Sequence, residues 1–125
     1  FYTPSIWTDE AHKEISKHLG DDWKERYIVW DCCAGTFNLT RDYKFKDLYC
    51  STLEQSDIDT ANKMNYNPEA TKFQFDFLND DDDKLPRSLR KAIDDGKEIL
   101  FFINPPYLFK SKYSFPIFTL LSKPY

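Results

Sequence analysis

The segment RYIVWDCCAGTFN, residues 26–38, decides the fold, because a short apolar run is followed at once by a carboxylate and a glycine-bearing turn. Residues 26–31 are rich in β-branched and aromatic side chains, which is typical of a buried strand. Gly35 permits a tight turn and a close approach of the backbone. We therefore predict a strand over residues 26–31, and then a turn and a short helix over residues 35–42.

The same alternation of strands and helices continues along the chain. Three further segments are predicted strands, namely residues 47–52 (DLYCST), 72–77 (KFQFDF) and 99–103 (ILFFI). Apolar residues at helical spacing predict helices from the N-cap Thr8 to Leu19, over residues 56–65 and over residues 85–95. This order favours an α/β fold, with a parallel sheet covered by helices on both faces.

Composition excludes several classes of protein. The 125 residues include 17 basic and 21 acidic side chains, and 41% are hydrophobic, which excludes intrinsic disorder. The longest apolar run, residues 99–103, is too short to span a membrane, and no signal segment opens the chain. Three cysteines with an adjacent pair form neither a disulfide framework nor a zinc motif. We therefore predict a cytoplasmic protein with reduced thiols and no membrane partner.

Neither the acidic run nor the histidines predict a metal site. Residues 80–83 are four consecutive aspartates, which we interpret as a solvated loop, since adjacent side chains seldom converge on one ion. His12 and His18 lie on the first predicted helix without partners at ligand spacing, so we assign them to packing or to the surface. The net charge of −4 also disfavours a protein that grips nucleic acid over its whole surface.

The sharpest chemical signal is the tetrapeptide Asn104, Pro105, Pro106, Tyr107, directly after the last predicted strand. Ligands of open α/β sheets bind beyond the carboxyl ends of the strands. The Asn104 side chain and the Pro105 carbonyl are acceptors, and the two prolines stiffen the backbone. Tyr107 offers a flat face for stacking. These features predict a clamp for an exocyclic amine on a planar base; a Pro-Pro turn with a packed tyrosine is the alternative.

Polar residues also follow the other three predicted strands. Gly35 belongs to a loop typical of nucleotide binding, and Glu54 lies where an acid would accept hydrogen bonds from ribose hydroxyls, with Asp57 as a rival. Asp76 and Phe77 end the third strand and would supply a carboxylate for an adenine amine and an aromatic side wall. Each acid alone is more typical of a helix cap or a solvated turn. Their succession in this order favours a nucleotide site.

These motifs together resemble the DNA adenine-N6 methyltransferases, the S-adenosylmethionine-dependent group that includes restriction-modification enzymes. The resemblance covers residues 1–107. The opening Phe1, Tyr2, Thr3, Pro4 is similar to the family's Phe-x-Thr-Pro, which implies that Thr3 and Pro4 contact the cofactor, Thr3 at the methionine carboxylate. The family's glycine loop, Asp-x-x-x-Gly-x-Gly, matches at Asp31 and Gly35 and departs at Phe37, where the bulky ring would narrow the approach to the methionine portion.

The resemblance also implies the roles of the remaining site residues. Glu54 would bind the ribose, Asp76 with Phe77 the adenine, and Asn104 through Tyr107 would form the catalytic motif, with Asn104 also near the cofactor. The implied reaction transfers a methyl group from S-adenosylmethionine to the N6 amine of an adenine flipped out of DNA. Similar motifs serve methyltransferases of RNA bases and of protein glutamine amides, and a nucleotide-binding scaffold without catalysis is the further alternative.

For the organisation of the chain, the resemblance implies a Rossmann-like methyltransferase fold and a partial catalytic domain. Such a sheet normally has seven strands, of which about four to five fall in this sequence. We expect residues 1–20 to form a cofactor-contacting segment and a helix, residues 26–107 the core, and residues 108–125 a later segment that includes a strand. DNA, through a target-recognition domain outside this chain, and a restriction endonuclease are the expected partners.

Overall fold

The computed structural model describes residues 5–32, 34–35, 37, 40–102 and 118–121. Within them, the chain alternates short helices with short strands. The helices are α1 Ser5–Leu19, α2 Trp23–Arg26, α3 Gln55–Lys63 and α4 Arg87–Asp94, with a 3-10 turn at Asp82–Lys84. The strands are β1 Ile28–Asp31, β2 Asp47–Thr52, β3 Thr71–Gln74, β4 Ile99–Phe102 and β5 Phe118–Leu121.

The strands form one sheet in the order β3-β2-β1-β4-β5. The first four are parallel, with Asp31 of β1 aligned with Cys50 of β2 and with Phe102 of β4. The strand order reverses beside β1, because β2 lies on one side of it and β4 on the other. Ligands of α/β proteins bind at such a switch point. The predicted α/β fold, Rossmann-like and with four to five strands, is confirmed.

The fifth strand is antiparallel to β4, with Phe102 aligned with Phe118. Its presence confirms the strand expected late in the sequence, between residues 111 and 125. The sheet is therefore parallel with one antiparallel edge.

Two hydrophobic clusters cover the two faces of the sheet. Successive side chains of a strand point to opposite faces, so Val29 and Trp30 begin different clusters. The first cluster joins Val29 to Ile15 of α1 and Ala61 of α3. The second joins Trp30 to Leu89 of α4. The prediction of helices on both faces is confirmed.

Several predicted element boundaries are wrong. Helix α1 begins at Ser5, and Thr8 is a buried residue inside it rather than its N-cap. Arg26 ends α2, so the first strand begins only at Ile28. Between β1 and β2 the described residues form turns instead of the predicted helix. Phe37 explains this, because its φ of +67° interrupts a right-handed helix.

The acidic segment is a solvent-exposed turn, as predicted. Asp80 forms an ion pair with Lys84 at 3.1 Å, and the 3-10 turn follows. The described part of the chain contains no group of three or more His, Cys, Asp or Glu side chains that could hold a metal ion. Cys32 and Cys50 are buried free thiols. None of the helices described is both long and apolar enough to cross a bilayer.

Candidate active site at the carboxyl edge of the sheet

The parallel strands bring the ends of β1, β2 and β4 to one edge of the sheet. Asp31, the last residue of β1, is aligned with Cys50 near the end of β2 and with Phe102, the last residue of β4. Asn104 follows Phe102 by two positions in the sequence. Asn104 through Tyr107 lie outside the described residues, as do Thr3 and Pro4, so their predicted roles stay predictions.

The loop after β1 leaves space beside Gly35 among the residues that the structure describes. Asp31 is buried at its start, and Gly35 has a φ of +53°, the left-handed region that favours glycine. A Cβ atom at Gly35 would meet no heavy atom of the described residues within 4 Å, its two chain neighbours aside. The Ala34 N–H donates to the Ser51 carbonyl at 2.9 Å and fixes the loop against β2. A ligand could therefore approach this backbone closely.

Phe37 does not narrow that approach. Its ring is only 1% exposed and belongs to the first cluster, where Ile15 of α1 is also buried. The backbone at Phe37 adopts the left-handed conformation that a glycine would adopt freely, with φ +67°. The expectation that the ring obstructs the methionine portion of a cofactor is thus wrong, because the side chain fills the core instead of the space outside the loop.

Of the two acids that follow β2, Glu54 is the better placed for a ligand. Glu54 occupies the N-cap position of α3, is exposed and makes no capping hydrogen bond with its side chain. Asp57 is half-buried, and its carboxylate accepts a hydrogen bond from the Thr52 hydroxyl at 3.2 Å. The Asp57 carboxylate therefore stabilises the first turn of α3, while the Glu54 carboxylate faces solvent.

Asp76 shapes the turn that follows β3. Its Oδ1 accepts the N–H groups of Leu78 and Asn79 at 3.1 and 3.2 Å, and its Oδ2 accepts the Asn79 side-chain amide at 2.8 Å. A carboxylate offers about four acceptor sites, so Oδ2 retains capacity for one more donor. The Asp76 N–H in turn donates to Asp80, and this bond holds the pKa of the Asp80 carboxyl below its ordinary value, helped by Lys84.

Phe77 extends the second cluster to the surface beside this edge. Its ring is 36% exposed and packs edge-on against Trp30, with the two ring centres 5.5 Å apart. It meets the ring of Phe101 in the same way at 5.8 Å. A partly exposed ring held by the buried Trp30 and the partly buried Phe101 can serve as a fixed wall for a planar ligand.

Sequence reasoning missed two apolar residues here. Leu53 is 60% exposed and Leu78 is 88% exposed, although both directly adjoin predicted site residues. The Gln74 side-chain amide donates to the Leu53 carbonyl at 2.8 Å, which joins the ends of β2 and β3. Their exposure could have been predicted from their position between the end of a strand and a polar turn, where a leucine side chain is not expected to be buried.

A buried thiol lies beneath the loop. Burial raises the pKa of Cys50 well above its ordinary value, and the nearby Asp31 charge acts in the same direction. Lys72, on the neighbouring strand, has a pKa lowered by its own burial. The Cys50 sulfur is therefore a neutral packing group rather than a nucleophile.

Comparison with known proteins gives one structural likeness. No protein-family model and no curated protein matches the chain. A crystal structure from Pyrococcus horikoshii, described as a "putative RNA methyltransferase", aligns with 88% of this chain at 16% identity and a TM-score of 0.49. This chain spans 66% of the length of that structure. The chain has a Rossmann-like α/β fold, and the assignment of its chemistry depends on its own residues.

Proposed function

We propose that this chain is the catalytic part of an S-adenosylmethionine-dependent methyltransferase whose acceptor is the N6 amine of adenine in DNA. The supporting observation is the convergence of Gly35, Glu54 and Asp76 with the end of β4 at one sheet edge. Asn104 follows β4 directly in the sequence. The proposal joins this convergence to the chemistry of the Asn-Pro-Pro-Tyr motif.

The described residues fit the adenosine portion of the cofactor. Glu54 is an exposed carboxylate for the ribose hydroxyls, and Asp76 Oδ2 retains one acceptor site for the adenine amine. Leu53, directly before Glu54, and Phe77, directly after Asp76, supply exposed apolar surface. The open space beside Gly35 fits the remainder, and Thr3 is the proposed contact to the methionine carboxylate. The bound cofactor would supply an electrophilic sulfonium methyl group.

The Asn-Pro-Pro-Tyr motif is proposed to bind and activate the acceptor amine. The lone pair of adenine N6 is delocalised into the ring, so the amine is a poor nucleophile. If the Asn104 side chain and the Pro105 carbonyl accept its two hydrogens, the nitrogen becomes more tetrahedral and its lone pair is directed towards the methyl group. Pro106 stiffens the backbone of the motif, and Tyr107 would stack on the base after flipping, which costs a few kcal/mol.

The decisive variant is Asn104→Ala. We expect it to lower methyl transfer by about 100-fold or more, because one of the two acceptors for the amine is lost. The affinity for S-adenosylhomocysteine, measured by calorimetry, should change less than about twofold. Asn62→Ala, at an exposed position on α3, is the matched control and should leave both quantities unchanged. Transfer within about tenfold of wild type in Asn104→Ala would remove Asn104 from the reaction.

The acceptor class needs a separate assay. Incubation with methyl-labelled cofactor and DNA, RNA or ribosomal protein should label DNA, on adenine. The net charge of −4 means that sequence-specific DNA binding would depend on a basic surface contributed from outside this chain, as in a target-recognition domain. Label on RNA or on a glutamine amide would reassign the acceptor. Cofactor binding without transfer to any of the three would favour a scaffold.

A further inference from the structure

Trp30 lies in the middle of the sheet, beneath the proposed cofactor site. It is buried in β1, within the second cluster. Its indole N–H donates a hydrogen bond to the Ser51 hydroxyl of β2 at 2.9 Å. Ser51 is fully buried, so this bond is shielded from water. The two side chains form a cross-strand pair, which we call the Trp30–Ser51 pair.

Ser51 contacts the loop after β1 through two further hydrogen bonds. Its hydroxyl donates to the Cys32 carbonyl at 3.4 Å, and its own carbonyl accepts the Ala34 N–H at 2.9 Å. Both bonds fix the chain within three residues of Gly35 on its amino-terminal side. Since the Ser51 hydroxyl has one hydrogen, the bond accepted from Trp30 leaves that hydrogen for Cys32.

The ring of Trp30 contacts the other side of the proposed site. It packs edge-to-face against Phe77 at 5.5 Å and against Phe101 at 5.0 Å between ring centres. Phe77 is the proposed adenine wall, and Phe101 lies on β4, three positions before Asn104. Trp30 thus contacts three segments of the proposed site: it contacts Phe77 and β4 directly, and the loop after β1 through Ser51.

We propose that the Trp30–Ser51 pair positions the glycine loop relative to the Phe77 wall and so sets the affinity for the amino-acid end of the cofactor. Trp30 and Ser51 are positioning residues, because they act through Cys32, Ala34 and Phe77 and are themselves buried. This inference rests on the proposed function. It predicts that loss of the bond between the two side chains weakens ligands that extend past the loop more than ligands that end at the ribose.

The protein contains a matched control for this pair. Trp23 is also fully buried, and its indole N–H donates to the Ser16 hydroxyl at 3.1 Å. This second indole–serine bond joins α2 to α1 rather than to the loop after β1, although Trp23 shares the first cluster with Ala34 and Phe37. Equivalent substitutions in the two pairs remove the same kind of bond, but of the two serines only Ser51 is hydrogen-bonded to the glycine loop.

The experiment compares Ser51→Ala with Ser16→Ala and Trp30→Phe with Trp23→Phe. Calorimetry gives Kd for S-adenosylhomocysteine and for methylthioadenosine, which lacks the amino-acid end. We expect Ser51→Ala to weaken S-adenosylhomocysteine about tenfold and methylthioadenosine less than about twofold, because alanine keeps the backbone bond to Ala34 but loses the hydroxyl that bonds both Trp30 and the Cys32 carbonyl. Ser16→Ala and Trp23→Phe should change neither Kd. The double variant Trp30→Phe/Ser51→Ala should weaken S-adenosylhomocysteine by less than the product of the two single-variant effects, since both substitutions break the same bond.

The outcomes separate the inference from the proposed function. If the wild-type protein binds neither ligand, the proposed function is wrong. If it binds both and Ser51→Ala leaves both Kd values unchanged, or weakens the two ligands equally, the positioning role is wrong, because partial unfolding scales both affinities alike. Should Ser51→Ala fail to fold, Ser51→Cys retains the volume and a weak donor, and it must show the same difference between ligands, at smaller size, for the inference to stand.

Discussion

Replacement of Phe37 by glycine sets two opposing effects against each other. Glycine relieves the left-handed backbone, which at φ +67° costs a phenylalanine about 1 kcal/mol. It also deletes a ring that is 1% exposed in the first cluster, and such deletions cost about 3–5 kcal/mol. The free energy of unfolding should therefore fall by about 2–4 kcal/mol. Phe37→Leu keeps an apolar side chain and should lose only about 1.5 kcal/mol.

Urea denaturation followed by circular dichroism measures the stability of both variants, and calorimetry with S-adenosylhomocysteine measures ligand affinity. Because the ring fills the core, glycine should not improve ligand affinity in the protein that remains folded. A Phe37→Gly variant as stable as wild type, or one that binds the ligand about tenfold more tightly, would contradict the placement of the ring in the core. Either result would mean that the Phe37 ring lies on the side of the loop that faces the proposed ligand site.

Three further predictions concern the loop, the buried thiol and the second cluster. Gly35→Ala places a methyl group in the space beside the loop and should raise the calorimetric Kd for S-adenosylhomocysteine about tenfold. The left-handed backbone at this position should also make the variant about 1 kcal/mol less stable. An unchanged Kd would contradict the close approach of a ligand to Gly35. Burial raises the pKa of Cys50 above its ordinary value of 9.0, so ionisation favours the unfolded chain and stability should fall above pH 9 by up to about 1.4 kcal/mol per pH unit. Cys50→Ala should show a shallower fall in urea titrations between pH 8 and 10, and a parallel pH profile would exclude the thiol as the cause. Leu89→Ala, at a fully buried position of α4, should lower the free energy of unfolding by about 2–5 kcal/mol in the same titrations; a loss below about 1 kcal/mol would mean that α4 does not cover the sheet as described.

The strand pattern was predictable because it is local. The bounds of β2 agree with the predicted strand DLYCST, and the positions of Gly35, Glu54 and Asp76 after successive strands follow from the sequence order. The predicted helix after Gly35 failed because nothing in a phenylalanine signals a left-handed backbone, which the core around the ring imposes. Thr8 failed as an N-cap because α1 begins at Ser5 and Thr8 lies buried inside the helix.

The Trp30–Ser51 pair was beyond sequence reasoning for a different reason. The two residues are separated by 21 positions and meet only because β1 and β2 pair in a particular register. A one-residue slip would send the Ser51 side chain to the opposite face of the sheet. The exposure of Leu53 likewise depends on where α3 begins after β2. Contacts of this kind need the register and the order of strands.

Strand β3 lies at one end of the strand order, where it pairs with β2 among the described strands. The strand and the residue after it have the sequence TKFQF, residues 71–75, in which Lys72 is the one charged side chain. The Lys72 ammonium donates to the Asn67 carbonyl at 2.9 Å and so remains at the border of the sheet. A charge there opposes the addition of a strand from another molecule. Acetylation of Lys72 would therefore favour intermolecular β-structure and precipitation at high concentration.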